Sequence, residues 1–229
     1  MDDSLQTTNL GYAVPSVDQR NRVLRNTYWL LALSMVPTVL GAWLGVSTGV
    51  MATMGVGMSF IVFMVGAFGF IFAIEKTKNS AAGVPVLLGF TFFMGLMLSR
   101  LIGYVLGFAN GTALVMTAFA GTGLTFLGMA TLSTLIKRDL STMGKFLYIG
   151  AIMLLVAIVL NLFIQSSALF VTIAVLMIGI FSAFIVYDLK RVRDGLETNY
   201  ISATLSIYLD LYNIFQALLS LLGFAGSRE

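Results

Sequence analysis

Long apolar runs, each closed by a short polar or glycine-containing break, fill the chain from residue 28 onward. A helix that crosses a bilayer needs about 20 predominantly apolar residues. On that criterion the sequence predicts seven spans, over 28–46, 51–74, 84–106, 111–136, 146–165, 168–187 and 201–224. Residues 1–26 are polar, include Gly11 and Pro15, and are expected to form a flexible tail, leaving 27–229 as one seven-helix transmembrane domain. The expected fold class is all-α, a polytopic membrane protein. The first apolar run follows Arg20, Arg22 and Arg25, but no small-residue cleavage site precedes the second, so it is read as a retained helix and not a signal peptide.

Charge sharpens this layout. Basic residues occupy the tail (Arg20, Arg22, Arg25), the second loop (Lys76, Lys78), the fourth (Lys137, Arg138, Lys145) and the sixth (Lys190, Arg191, Arg193), whereas the first, third and fifth loops hold no charge. An excess of Lys and Arg marks cytoplasmic loops. The N-terminus is therefore expected in the cytoplasm and, after seven crossings, the C-terminus on the opposite side. No internal repeat is evident, and seven spans do not divide into equal inverted halves of the transporter kind.

Composition then limits the chemistry. Of 229 residues 59% are hydrophobic and 10% charged, with no cysteine and no histidine; disulfides, thiol nucleophiles and the usual zinc and haem ligands are excluded. A net charge of +3 is accounted for by the inner loops, and no nucleic-acid partner is expected. No enzymatic activity is expected either. The histidine of the usual serine and zinc intramembrane proteases is missing, the GxGD and PAL motifs of the presenilin type are absent, and the last span has no lysine to hold retinal. No cofactor is implied.

Two carboxylates stand out against this background. Asp188 closes the sixth span and Asp210 lies inside the seventh, and intramembrane carboxylates are costly and functional by default. In the last span Ser206, Asp210, Asn213, Ala217 and Ser220 follow one another at spacings of four and three, which sets them along one helical face. A polar stripe does not face lipid, so this helix is expected inside the bundle. At about 1.5 Å per residue Asp188 lies about 8 Å from Arg193 and Asp210 about 15 Å from Tyr200. Because side chains tilt toward a helix's N-terminus, the two carboxylates of an antiparallel pair lean toward each other. Such a pair does not ionise twice at low cost; it shares a proton, separates, or binds a hard cation such as Ca²⁺. The plainer alternative makes Asp188 an ion-pair partner of Lys190 or Arg191, and Asp210 a buried hydrogen-bonding group.

Two other features are weighed. Arg100, the one cation inside a span, stands about 24 Å from the inner end of its helix, close enough to the outer surface for its head to snorkel there or to line an outer cavity. The GxxxG pairs Gly41/Gly45 and Gly103/Gly107 are assigned to helix packing.

"VLRNTY" before the first span, "YDLKRV" at the end of the sixth and "ETNYISATLSIYLDLYNIFQALLSLLGFAG" at the end of the chain resemble the Bax inhibitor/YccA family, in its bacterial branch. The resemblance implies six helices around a central seventh, and a pH-sensitive calcium leak controlled by a pair of aspartates that map onto Asp188 and Asp210. It implies a basic latch for the first aspartate, for which Lys76 and Arg191 are the candidates, and residence in the bacterial inner membrane. It also implies association with the membrane protease FtsH as a modulator. Arg100 occupies a stretch where relatives often have proline. A purely regulatory FtsH-binding role without conduction, and a proton-coupled transporter using Asp210, stay open beside the leak.

Overall fold

The computed structural model describes residues 16–227, and among these every regular element is a helix. In chain order they are α1 (Val17–Thr48), α2 (Val50–Thr53), α3 (Val56–Thr77), α4 (Gly83–Leu106), α5 (Gly111–Leu135), α6 (Ser141–Ile164), α7 (Ser167–Arg193) and α8 (Tyr200–Gly226). Seven of them, all but the one-turn α2, are long and apolar enough to cross a membrane. The second expected span starts as α2 and breaks at Met54 and Gly55 before α3 takes over.

The first helix begins well before the apolar run that announces it. Ser16 caps it by accepting from the Gln19 N–H at 3.2 Å, and Asp18 sits in the first turn, where an acid suits the helix dipole. Ten residues assigned to the tail, 17–26, are therefore helical, and the rest of that tail, residues 1–15, lies outside the described residues. The reason is tertiary. Val23 packs against Val192 and Ala203, and Arg20 Nη1 donates to the Arg193 carbonyl at 3.2 Å. Thirty-two residues of helix rise about 48 Å, more than a hydrocarbon core of about 30 Å, so the basic first turns of α1 project beyond it.

The last helix is the central one. From Tyr200 to Phe224 no residue of α8 is exposed, and α8 packs against α1, α3, α4, α5 and α7. The fifth crossing, α6, leans on α7 and turns most of its residues outward, with Phe163 82% exposed. The main core joins Leu30 and Leu31 of α1, Leu87, Phe90 and Met94 of α4, Ile185 and Leu189 of α7, and Ile207, Tyr208 and Ile214 of α8.

The most extensive pairing is between α1 and α4, and small residues permit it. A methyl group at Gly41 would overlap the Phe92 carbonyl, one at Gly45 the Ser99 side chain, and one at Gly95 the Thr38 carbonyl. The second GxxxG pair differs from its expected packing role. Space beside Gly103 is open, and Gly107 meets only carbonyls of its own helix, because that stretch of α4 lies at the end of the bundle.

Candidate functional site

The two aspartates come from the hairpin formed by α7 and α8. Between these helices, Gly195 adopts φ +77° and lets the N–H groups of Leu196 and Glu197 donate back to the Arg191 carbonyl at 2.9 and 3.1 Å. This closes α7 with its last carbonyls satisfied. Asn199 then opens α8. Its Oδ1 accepts from the Ile201 and Ser202 N–H groups at 2.9 and 3.1 Å, and its own N–H donates to Glu197 Oε1 at 2.8 Å. The other end of the same side chain reaches across the bundle: Nδ2 donates to the Lys78 carbonyl at 3.0 Å and to Asn79 Oδ1 at 2.8 Å. One residue thus starts the central helix and ties it to the loop between α3 and α4.

Above this clasp both carboxylates are buried, Asp188 to 8% exposure and Asp210 to 4%. Asp210 lies within the electrostatic reach of Asp188, and Tyr148 of α6 feels both. Asp188 Oδ1 stands 3.8 Å from Arg191 Nη1, one helical turn on, and the guanidinium also lies over the Tyr187 ring at 5.7 Å. Lys190 is engaged elsewhere, with Asp194 Oδ2 at 2.8 Å. Asp210 is the less satisfied of the two. Its Oδ2 is buried and accepts no hydrogen bond from the described residues, a costly state for a carboxylate oxygen.

The other expected residues distribute as follows. Lys76 is exposed and sits over the Phe72 ring at 5.4 Å, and no ion pair joins it to Asp188 among the described residues. Lys78 pairs with Glu75 in the same stretch. Along the stripe of α8, Ser206, Asn213 and Ser220 are half-buried, and Asn213 Nδ2 donates to the Leu209 carbonyl of its own helix at 2.8 Å. Arg100 is exposed and pairs with neither aspartate among the described residues. Its Nη1 donates to the Met54 carbonyl at 3.4 Å, at the break between α2 and α3.

Several groups around the pair have no counterpart among the sequence candidates. Tyr148 packs edge-on against Phe184 at 5.3 Å, and Tyr187 covers Gly144, where a methyl group would overlap its ring. Tyr148 of α6 and Tyr187 of α7 thus mark where these two helices meet. Glu197 adds a charge that acts on Asp188. Tyr208, fully within the core, holds α8 to two other helices through Thr38 Oγ1 at 2.9 Å and the Thr91 carbonyl at 3.3 Å. None of these carried a local signal, and the tyrosines read as ordinary span residues; Asn199, a capping residue ahead of an apolar run, did carry one.

Seven apolar helices, one of them central, with a pair of buried carboxylates on antiparallel neighbours, one ion-paired on its own helix and one with an orphaned oxygen, define a polytopic membrane protein. Residues 20–227 match the family described as inhibitor of apoptosis-promoting Bax1, and the chain belongs to it. The resemblance seen in its terminal motifs is therefore correct at the level of the family. It is 36% identical over 215 residues to an uncharacterized membrane protein of Vibrio cholerae, covering 92% of this chain and 93% of the relative. It is 36% identical over 209 residues to the Escherichia coli protein named modulator of FtsH protease YccA, covering 91% and 92%. With an uncharacterized protein of Pseudomonas aeruginosa it shares 35% identity over 224 residues, 98% and 99% of the two chains.

Proposed function

We propose that this chain is an inner-membrane modulator of an FtsH-type protease whose conformation responds to protons through Asp188 and Asp210, and that its deprotonated site admits cations, Ca²⁺ among them. The observation that carries the switch is the orphaned Asp210 oxygen beside a second buried carboxylate. Neutral, Asp210 packs as a polar but uncharged group; ionised, it faces Asp188 with no donor to its Oδ2 among the described residues, so the hairpin must part, take up water or accept a cation. The described residues gather no group of three or more acidic ligands. A site of this kind suits passing contact with Ca²⁺ better than a resident ion, which takes six to eight oxygens. Arg191 is the latch on Asp188 in this scheme, and no catalytic role is assigned to either aspartate.

The FtsH partnership rests on likeness to the protein named for it, across more than nine-tenths of both chains. A related Escherichia coli protein is named as an inner membrane protein, which supports the same location here. With the basic loops inward, the N-terminal segment and Asn199 would face the cytoplasm.

Ca²⁺ and K⁺ flux through liposomes tests the switch, on the acidic and alkaline sides of neutrality, with wild type, Asp188→Asn and Asp210→Asn. Wild-type flux should change with pH, and Asp210→Asn should abolish that dependence. Flux that ignores pH, or is untouched by Asp210→Asn, sinks the mechanism; absence of flux from every sample leaves the purely regulatory reading. For the partnership, co-purification with FtsH is compared for the full chain and for a chain lacking residues 2–15. Loss of regulation without loss of binding is expected if the protease grips that segment, while unchanged regulation removes the segment from the account.

A further inference from the structure

Beside Arg100, residues of α2, α3, α4 and α8 line a partly open cavity of about 370 Å³. That volume falls within the range of small-molecule sites, about 300 to 1,000 Å³, and exceeds what one inorganic ion needs. Arg100, Tyr212, Gln216 and Ser59 bring polar groups to it, and Phe63 and Met97 supply apolar wall. The cavity is separate from the carboxylate site. At about 100° per residue, Tyr212 and Gln216 lie about 200° and 240° around α8 from Asp210, on another face of the helix.

Among the described residues no acidic side chain pairs with Arg100: Lys78 pairs with Glu75, Lys190 with Asp194 and Arg191 with Asp188, and Arg100 joins none of these. Its one hydrogen bond, the long contact to the Met54 carbonyl, leaves most of its five N–H donors for another acceptor. Among the described residues the Tyr212 hydroxyl and the Gln216 amide have no hydrogen-bond partner, and both line the same space as the guanidinium. Donors converging from two helices on a half-apolar cavity match an oxyanion attached to an apolar group, since a guanidinium fork fits carboxylate and phosphate alike.

We infer that this cavity is an anion-binding site, which takes the carboxylate or phosphate head of a small amphiphile through Arg100, Tyr212 and Gln216. The anion comes either from solution or from a lipid, and binding to the purified full-length chain separates the two. Hexanoate and glycerol phosphate are titrated in detergent micelles, and phosphatidylglycerol is compared with phosphatidylcholine in nanodiscs by native mass spectrometry. Wild type should bind at least one anionic probe, Arg100→Gln should weaken it about tenfold or more, and Arg100→Lys should recover part of the loss. Gln216→Leu should weaken binding less while leaving the thermal midpoint in place, which distinguishes ligand contact from damage to the fold. Soluble probes alone binding assigns a dissolved anion; phosphatidylglycerol alone binding assigns a lipid. Equal binding by wild type and Arg100→Gln, or no anionic probe bound by wild type, overturns the site.

Discussion

At single positions, the arrangement of α1 against α4 depends on glycines in a way that composition alone does not disclose. Gly41 meets a backbone carbonyl, which has no rotamer to escape into, whereas Gly103 meets open space. Gly41→Ala should therefore destabilise the protein by about 1–3 kcal/mol, as overpacking does. Gly103→Ala should be neutral or gain up to about 1 kcal/mol from reduced backbone freedom. Reversible unfolding in mixed micelles measures both, and equal effects at the two positions would contradict the packing described. The same scale explains why the aspartates were legible and their surroundings were not. Asp210 betrays itself because Ser206, Asn213 and Ser220 share its face at helical spacing. Tyr148 and Tyr187 are aromatic residues in apolar helices, and nothing in their spacing says that α6 and α7 meet there.

The elements show where local sequence signals stop being sufficient. The α7–α8 hairpin is locally encoded: Gly195 supplies the left-handed turn, Asn199 the cap, and Lys190, Arg191 and Arg193 complement the end of α7. The start of α1 is different. Hydropathy places it near residue 28, yet Val23, Thr27, Leu30, Leu31 and Ser34 are buried at spacings that continue a helical stripe upstream through polar residues. Arg20, Arg22 and Arg25 lower the mean hydropathy of that stretch and hide the stripe from any test of span length. Asn199 gives this scale its prediction. Asn199→Ala removes a cap worth about 1 kcal/mol and unties α8 from the Lys78 carbonyl, so the loss should exceed that of the cap alone. Asn199→Asp keeps the capping oxygen and removes the Nδ2 donor, and should lose only the cross-link. Thermal midpoints of the two variants separate these contributions; identical losses would mean that the capping oxygen contributes nothing, and an Asn199→Asp midpoint equal to that of wild type would mean that the bond to Lys78 contributes nothing.

For the whole molecule, two polar centres sit on one helix and face different neighbours. Asp210 turns to the hairpin with α7, and Tyr212 and Gln216 turn to the cavity with Arg100, so α8 is the element through which occupancy of one could bias the other. The seven spans and their central member follow from hydropathy and from the stripe on the last helix, because a bilayer leaves few ways to bury polar side chains. What lies between helices, such as the Arg100 cavity and the clasp from Asn199 to Asn79, depends on side chains far apart in the chain and has no local pattern to betray it. The position of α8 also has a temporal side. A ribosome makes this helix after the other six spans, which enter the bilayer while their common core is still missing. Until α8 arrives, the inward faces of α1 and α4 have one another while α5 and α7 lack their principal neighbour. Quality control therefore has a natural checkpoint in the twenty-seven residues of α8: a chain interrupted before them is an open bundle, and completion of the fold coincides with delivery of Asp210.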